Sequence, residues 1–407
     1  MANQSAINPR VLDPVPEQPE HLVQLDGLRT LAILTVMCEH WLPLGHPLRV
    51  ISAWGTIGVY LFFVLSGYLI TGILLKCRDA VEGGRESLWF ALRQFYARRF
   101  LRIFPAYYLA LGLMVWLGLP GVREVWPWHF FYASNFYFAF GQGPGGPAGH
   151  FWTLSVEEQF YLMWPGLVLF LPRRWMLPAI LLLIVSSPVG NAIASAYGFW
   201  GFSILTPGCI HFLGVGAFIA MCSPHSSIRP IRHKTLELIL LVVSAPLLLG
   251  YIGLDLWTSL GKWALPLGQV GMAIYFAIRS MAIAMFFGWI VSRAASGFGW
   301  PIGSLLSFGP IVYLGRISYG LYLFHVPLLW IIPPILNSLA IFTHLKVLAD
   351  PAWQVNFMVR FAGTVLISAV SWHFFEAPIN GLKRHFPYVK RGARESRTLV
   401  SSQALLD

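Results

Sequence analysis

The stretch LDGLRTLAILTVMCEHW, residues 25–41, is apolar enough to enter a bilayer, yet it carries Arg29 near its start and His40 near its end. At about 100° per residue, the eleven steps between them make three helical turns plus about 20°. Both side chains therefore lie on one helix face, about 16 Å apart along the axis. Ionisable groups inside a span are costly and usually face a protein interior or a watery cavity, so this pair marks a candidate site.

The composition of the chain indicates a polytopic all-α membrane protein. Of 407 residues, 57% are hydrophobic and 11% are charged, which excludes an ordinary soluble protein. The net charge is +11, but the basic residues lie mainly between apolar runs, so we expect no nucleic-acid partner. Cys38, Cys77, Cys209 and Cys222 form no CxxC pair and have no metal-ligand spacing. We expect them to be packing residues, and we expect no metal.

Apolar runs of about 20 residues predict a transmembrane helical bundle of about ten spans. The predicted spans lie near residues 28–46, 55–75, 103–120, 151–171, 176–192, 199–222, 236–254, 264–292, 311–335 and 357–378.

The short apolar segment 127–141 decides the topology. If it does not cross the bilayer, 22 of the 28 basic residues fall on one face, and the positive-inside rule makes that face and both termini cytoplasmic. We therefore predict that this segment lies at the outer surface or re-enters without crossing. The domains expected are a polar cytoplasmic tail without a cleavable signal (1–27), a membrane domain (28–380) and a basic cytoplasmic tail (381–407).

His40 is the natural general base if the protein does chemistry, because a neutral imidazole can take a proton from a hydroxyl near pH 7. The simpler interpretation is a packed, hydrogen-bonded histidine. Glu39 points about 100° away on a helix, so it is not an obvious partner for orienting the ring.

The segment QFYARRFLRIFPAYY places Arg98, Arg99 and Arg102 just before the third span. Arg99 and Arg102 are three residues apart and share a helix face. Arginines at a membrane edge are commonly topology anchors. Their fork geometry also suits a ligand that carries phosphate groups.

The fourth span opens with GHFWTLSVEEQFYLMWP, in which Ser155 and Glu158 have the spacing of a capping box. That interpretation explains only one of the two carboxylates. Glu157 remains as part of a polar cluster, which we expect at the depth of the outer end of the first span.

Near the C-terminus, YLGRISYGLYLFHVPLL puts Ser318, Tyr322 and His325 on one helical face. Such a polar stripe either joins neighbouring helices or lines a site. Glu376, at the end of the last span, is expected to pair with an arginine at a helix end.

Five motifs together resemble the acyltransferase-3 family of integral membrane O-acyltransferases, and the resemblance runs from residue 25 to about residue 378. The motifs are LDGLRTLAILTVMCEH, FFVLSGYLIT, ARRFLRIFPAYY, FWTLSVEEQFYLMWP and GRISYGLYLFHVPLL. The resemblance implies transfer of an acyl group, commonly acetyl, from a cytoplasmic coenzyme A thioester to a hydroxyl, often on a surface polysaccharide or its lipid-linked precursor. It also implies that Arg29, Arg99 and Arg102 contact the coenzyme A phosphates and that His40 is the essential histidine.

Four further residues match motif positions of that family. Following the resemblance, we assign Glu157 and Glu158 to catalysis, and Ser318 and Tyr319 to donor binding. Glu39 stands where the family usually has a more hydrophobic residue. We expect no C-terminal hydrolase-like domain, so a second acyl-carrying step would need another protein.

The first hypothesis is therefore an acyl-coenzyme A-dependent O-acyltransferase of the bacterial inner membrane that acts on a carbohydrate. The alternative from another class is a transporter or flippase for an anionic or lipid-linked substrate, because buried charged residues also build transport pathways. Within the enzyme class, the acceptor could instead be a small molecule such as a macrolide. The lipid bilayer is the expected partner, and the sequence indicates no particular protein partner.

Overall fold

The computed structural model describes residues 20–43, 46, 54–141, 146–224, 226–228, 230–261, 267–343 and 353–388. Helices are the only regular elements in these ranges, as the composition predicted. The first half contains α1 Glu20–Trp41, α2 Trp54–Glu82, α3 Leu88–Trp116, α4 Val122–Phe130, α5 Ser134–Ala139, α6 Trp152–Phe170, α7 Arg173–Ala196 and α8 Thr206–Cys222.

The second half contains α9 His233–Gly261, α10 Gly268–Ser296, α11 Ile302–Leu306, α12 Gly309–Arg316, α13 Ser318–Phe324, α14 Leu328–Thr343, α15 Trp353–Ser371 and α16 Ala377–Gly381. Short 3₁₀ helices occupy Gly146–Phe151, Trp200–Ile204 and Leu382–His385, and a π-helical turn occupies Trp372–Glu376. The predicted tails fall largely outside the described residues. α1 already begins at Glu20, ahead of the predicted domain boundary at residue 28.

Six helices in the described part of the chain are long and apolar enough to cross a membrane, or seven if the bent pair α13 and α14 counts as one span. The six are Thr56–Glu82, Arg173–Ala196, Trp200–Cys222, His233–Leu254, Gly268–Ser296 and Trp353–His385. Three other predicted spans correspond to α1, α3 and α6, which are long helices that each carry two or more charged residues. The count of ten spans stays a prediction.

The segment 127–141 contains the end of α4 and the whole of α5. These helices have 9 and 6 residues, so each is too short to cross a bilayer.

The predicted span 311–335 is not one continuous helix, because this region is divided into α12, α13 and the start of α14. α13 and α14 are bent by 66° at a short break that contains Pro327. Proline has no N–H to donate and disfavours helical geometry in the residue before it, which accounts for the break.

α8 lies in the centre of the bundle, since 15 of its 17 residues are buried. It packs against α2 through two glycines that leave no room for a side chain. A Cβ on Gly67 would lie 1.9 Å from the carbonyl oxygen of Leu213, and one on Gly216 would lie 2.1 Å from that of Val64. The two backbones are therefore in direct contact in both directions.

At one end of the bundle, buried Arg78 of α2 holds the C-terminus of α6. Its Nη1 donates to the carbonyl oxygens of Val168 and Leu171 at 2.8 and 2.7 Å, and its Nε donates to Glu82 at 2.6 Å. Because the last carbonyls of a helix have no intrahelical donor, this guanidinium caps α6.

Candidate active site

A cavity of about 110 Å³ lies between α1, α2, α3, α6 and α13. We call it the arginine cavity. Every predicted site residue except His40 lines it, namely Arg29, Arg99, Arg102, Glu157, Glu158, Ser318 and Tyr319. The structure thus brings together side chains from four separate sequence motifs.

Arg99 and Arg102 reach the arginine cavity from one face of α3, as their spacing predicted. The Nε of Arg99 is buried and has no hydrogen-bond partner among the described residues. A buried donor without an acceptor costs about 1–3 kcal/mol. An anionic group in the cavity would remove that cost, since guanidinium groups bind phosphate and carboxylate oxygens strongly.

Arg29 is held in place by a carboxylate one turn earlier on α1. Its Nη1 donates to Oδ1 of Asp26 at 2.5 Å, and the Nε of Arg316 lies 3.8 Å from the other oxygen of Asp26. This arrangement fixes the guanidinium at the edge of the cavity, where its side chain is 22% exposed.

Glu157 accepts a hydrogen bond from Ser66, which accepts one from Tyr161. The Ser66 Oγ lies 2.8 Å from Oε1 of Glu157, and the Tyr161 hydroxyl lies 3.0 Å from Ser66 Oγ. The predicted depth of this carboxylate was wrong. Glu157 and Glu158 share the arginine cavity with Arg29 and not the surroundings of His40, because α6 carries both carboxylates past its first turn.

The predicted capping box is also wrong. α6 begins at Trp152, because the 3₁₀ helix Gly146–Phe151 runs straight into it, so Ser155 lies within the helix. Its hydroxyl is 3.0 Å from the Ser134 hydroxyl and donates to the carbonyl of Phe151 at 3.4 Å. Glu158 is therefore not the partner of an N-cap serine.

His40 lines a second, larger cavity of about 440 Å³ together with Glu39 and His150. We call it the histidine cavity. The Nδ1 of His40 lies 2.8 Å from the carbonyl oxygen of Val36, and because a carbonyl only accepts, Nδ1 carries the proton. In the neutral ring, Nε2 is then the proton acceptor, which is the tautomer that a general base needs.

His325 lies between the rings of His40 and His150. The ring centroid of His325 lies 4.9 Å from that of His40 and 4.8 Å from that of His150. His325 is fully buried, and its Nδ1 lies 2.7 Å from the carbonyl oxygen of Tyr322. Within the described residues, no group of three or more histidine, cysteine or carboxylate side chains could hold a metal ion.

His150 differs from His40 in its exposure. Burial, together with the neighbouring His325 and His40, lowers the pKa of His150 well below its usual value. His150 is thus a neutral wall of the cavity, whereas the exposed ring of His40 can meet a substrate.

Comparison with known proteins decides the family. Residues 22–376 match the acyltransferase-3 family, whose members share the acyltransferase domain. The chain belongs to this family. The resemblance of the five motifs is thereby confirmed.

Among relatives of this acyltransferase-3 protein, the peptidoglycan O-acetyltransferase OatA of Listeria monocytogenes is 29% identical over 399 residues, which cover 90% of this chain and 57% of that protein. The O-acetyltransferase OatA of Staphylococcus aureus is 26% identical over 422 residues, with 94% and 61% covered. The chain therefore spans less than two thirds of the length of these curated relatives. No solved structure matches it.

Sequence reasoning missed several residues of the acyltransferase-3 site. Ser66, the partner of Glu157, stands in the motif FFVLSGYLIT, where a lone serine in an apolar run was the only signal. Thr153 lines both cavities and His150 lines the histidine cavity, and both residues lie around the start of α6. Glu376, predicted to pair with an arginine, accepts at its Oε1 from the Ser371 hydroxyl at 2.8 Å and is not among the residues that line either cavity.

Proposed function

We propose that this acyltransferase-3 protein moves an acetyl or other short acyl group from acyl-coenzyme A to a hydroxyl of a carbohydrate. The observation that carries the proposal is the arginine cavity, in which three guanidinium groups meet two carboxylates, a serine and a tyrosine. The two relatives described above are named O-acetyltransferases, and one is named for peptidoglycan. We therefore favour a carbohydrate of the cell wall or its precursor over a small molecule such as a macrolide.

The donor end of the reaction is assigned to the arginine cavity. Coenzyme A is rich in phosphate oxygens, and Arg29, Arg99 and Arg102 supply forked donors for them. The buried Nε of Arg99 supports this assignment, because a bound anion would give it an acceptor. Ser318 and Tyr319 line the same cavity and are assigned to the donor as well.

The acceptor end is assigned to the histidine cavity. The acceptor hydroxyl gives its proton to Nε2 of His40, and its oxygen attacks the thioester carbonyl. The C–S bond then breaks, and the leaving thiolate takes a proton from the carboxyl group of Glu157 or Glu158 to give free coenzyme A. His40 releases its proton to water and the carboxylate regains one, so the cycle balances.

A cytoplasmic location for both termini, about ten spans and an inner-membrane location remain part of the proposal. Contacts between distant segments support the sidedness. Asp79, Arg173 and Ser227, all predicted to be cytoplasmic, share a hydrogen-bonded cluster in which Ser227 donates to Asp79 at 2.8 Å. The rings of Phe140 and Phe199, both predicted to be external, stack with centroids 5.6 Å apart.

The test is release of free coenzyme A from acetyl-coenzyme A by the full chain in nanodiscs, measured by mass spectrometry with peptidoglycan fragments as acceptor. We expect His40→Ala to lower the rate about a hundredfold or more, the usual contribution of a general base, while donor binding persists. His373→Ala is the matched control, because His373 is exposed and bonds to Tyr313, away from both cavities.

Two results would contradict the proposal. Undiminished turnover in His40→Ala would exclude the general-base role. Neither binding nor turnover of acetyl-coenzyme A by the unaltered chain would exclude the donor and favour a transporter of an anionic or lipid-linked substrate.

A further inference from the structure

The arginine cavity and the histidine cavity share a wall. Val59, Thr153 and Tyr322 line both cavities. All three side chains are buried, with exposed fractions of 7%, 4% and 6%. Any group that passes from one cavity to the other at this wall must displace at least one of them.

The wall is closed by hydrogen bonds. The hydroxyls of Thr153 and Tyr322 lie 2.5 Å apart, and each can donate to the carbonyl oxygen of His150, at 3.1 and 2.9 Å. Each hydroxyl has one proton, so one of them donates to the carbonyl and the other to its neighbour. Both protons are used in either arrangement, and the pair is satisfied while the wall is closed.

We propose that Thr153 and Tyr322 form a gate between the two cavities and that this gate sets the size of the acyl group that can pass. The proposal rests on the proposed function, in which the donor lies in one cavity and His40 in the other. Opening the gate breaks hydrogen bonds in a buried place, which is unfavourable unless new acceptors replace the old ones. The carbonyl oxygen of an entering acyl group is such an acceptor.

The chemistry of the wall favours a short acyl group. The two hydroxyls can donate hydrogen bonds to an acyl carbonyl oxygen. A longer alkyl chain has no hydrogen-bond acceptor, and it must fit beside the Thr153 methyl group and Val59. A misfit of one methylene group in a packed pocket changes specificity by about tenfold or more. The gate therefore discriminates by the length of the chain behind the carbonyl.

The first experiment compares acetyl-coenzyme A with butyryl-coenzyme A as donors for the full chain in nanodiscs. Thr153→Ala removes both the methyl and the hydroxyl groups, and we expect the ratio of kcat/KM for acetyl over butyryl to fall about tenfold. Thr153→Val keeps the size of the side chain, so the ratio should stay close to that of the unaltered chain. Tyr107→Phe is the matched tyrosine control, because Tyr107 is buried and lines neither cavity. Its hydroxyl donates to the carbonyl oxygen of His129, at a distance of 2.8 Å.

An unchanged ratio in Thr153→Ala would overturn the gate. No release of coenzyme A from either donor by the unaltered chain would instead contradict the proposed function, and the second experiment would then test the gate alone.

The second experiment needs no donor. In a chain whose four cysteines are replaced by alanine, a cysteine at Ser66 reports on the arginine cavity, and one at Thr56 reports on the histidine cavity. A membrane-impermeant methanethiosulfonate reagent added outside spheroplasts should label the Thr56 position and leave the Ser66 position protected. Adding Thr153→Ala and Tyr322→Ala should expose the Ser66 position. Rapid labelling at Ser66 behind the intact pair, or continued protection without it, would overturn the gate.

Discussion

At the scale of single residues, Arg99 and Arg102 give the clearest prediction about the affinity for coenzyme A. Both line the arginine cavity from one face of α3. We expect Arg99→Ala combined with Arg102→Ala to weaken coenzyme A binding more than about a hundredfold, because each substitution removes a charge-assisted hydrogen bond of about 1.5–3 kcal/mol. Titration calorimetry at low and high salt should also show a smaller salt dependence.

Arg93→Ala is the control for that pair, since Arg93 is an exposed arginine on the same helix. Equal coenzyme A affinity in the double variant and in Arg93→Ala would make Arg99 and Arg102 topology anchors only.

Glu157 gives a second prediction at this scale. Ser66 and Tyr161 form a hydrogen-bonded chain that ends on its carboxylate. We expect Glu157→Gln to lower turnover of acetyl-coenzyme A at least tenfold, because an amide cannot supply a proton to the leaving thiolate. Donor affinity measured by calorimetry should change little. Full turnover in this variant would place the proton transfer on Glu158 or elsewhere.

The candidate site was largely predictable residue by residue, but its arrangement was not. Helical spacing alone placed Arg99 beside Arg102, and the motifs named every charged residue of the arginine cavity. Spacing says nothing about the depth at which one helix lies against another. For that reason the sequence predicted Glu157 near the depth of His40 and did not indicate Thr153 as a site residue.

At the scale of helices, Arg78 joins two of them through the C-terminus of α6. We expect Arg78→Ala to destabilise the protein by about 3 kcal/mol, because two helix-end carbonyls lose their buried donor. The measurement is thermal unfolding in detergent. Lys76→Ala, which removes an exposed charge from the same helix, should leave the midpoint unchanged. Equal midpoints in the two variants would show that the cap does not stabilise the fold.

The helices themselves were predictable where apolar length decides them, as in α2 or α7. The break between α13 and α14 was not, although Pro327 stands in the motif. A proline in a span is tolerated when neighbouring groups satisfy the freed backbone, so its presence alone does not locate a bend.

At the scale of the whole molecule, sidedness is the main testable property. Arg85, predicted to be cytoplasmic, and Tyr197, predicted to be external, are both exposed and therefore suit labelling. Cysteines placed there in a cysteine-free chain should react with an impermeant maleimide from opposite sides of the membrane. Labelling of both from one side would contradict the predicted topology.

The number of spans shows why hydropathy alone does not identify every transmembrane helix. α1, α3 and α6 are long helices, yet they are absent from the set that is apolar enough to cross a membrane. They are the helices that supply Arg29, Arg99, Arg102 and the two carboxylates of the arginine cavity. A site built from charged residues lowers the hydropathy of the helices that carry it.

The close packing of α2 against α8 at Gly67 and Gly216 has a consequence for how this protein can acquire a new substrate. It fixes α2, which forms one whole side of the arginine cavity, at the distance of two touching backbones. Because α2 cannot move away from the cavity without separating from α8, the cavity can widen on that side only where a large α2 side chain is replaced by a smaller one. Descendants of this chain, in nature or in a laboratory, should therefore change their acyl group by replacing side chains that line the cavity, while both glycines stay unchanged.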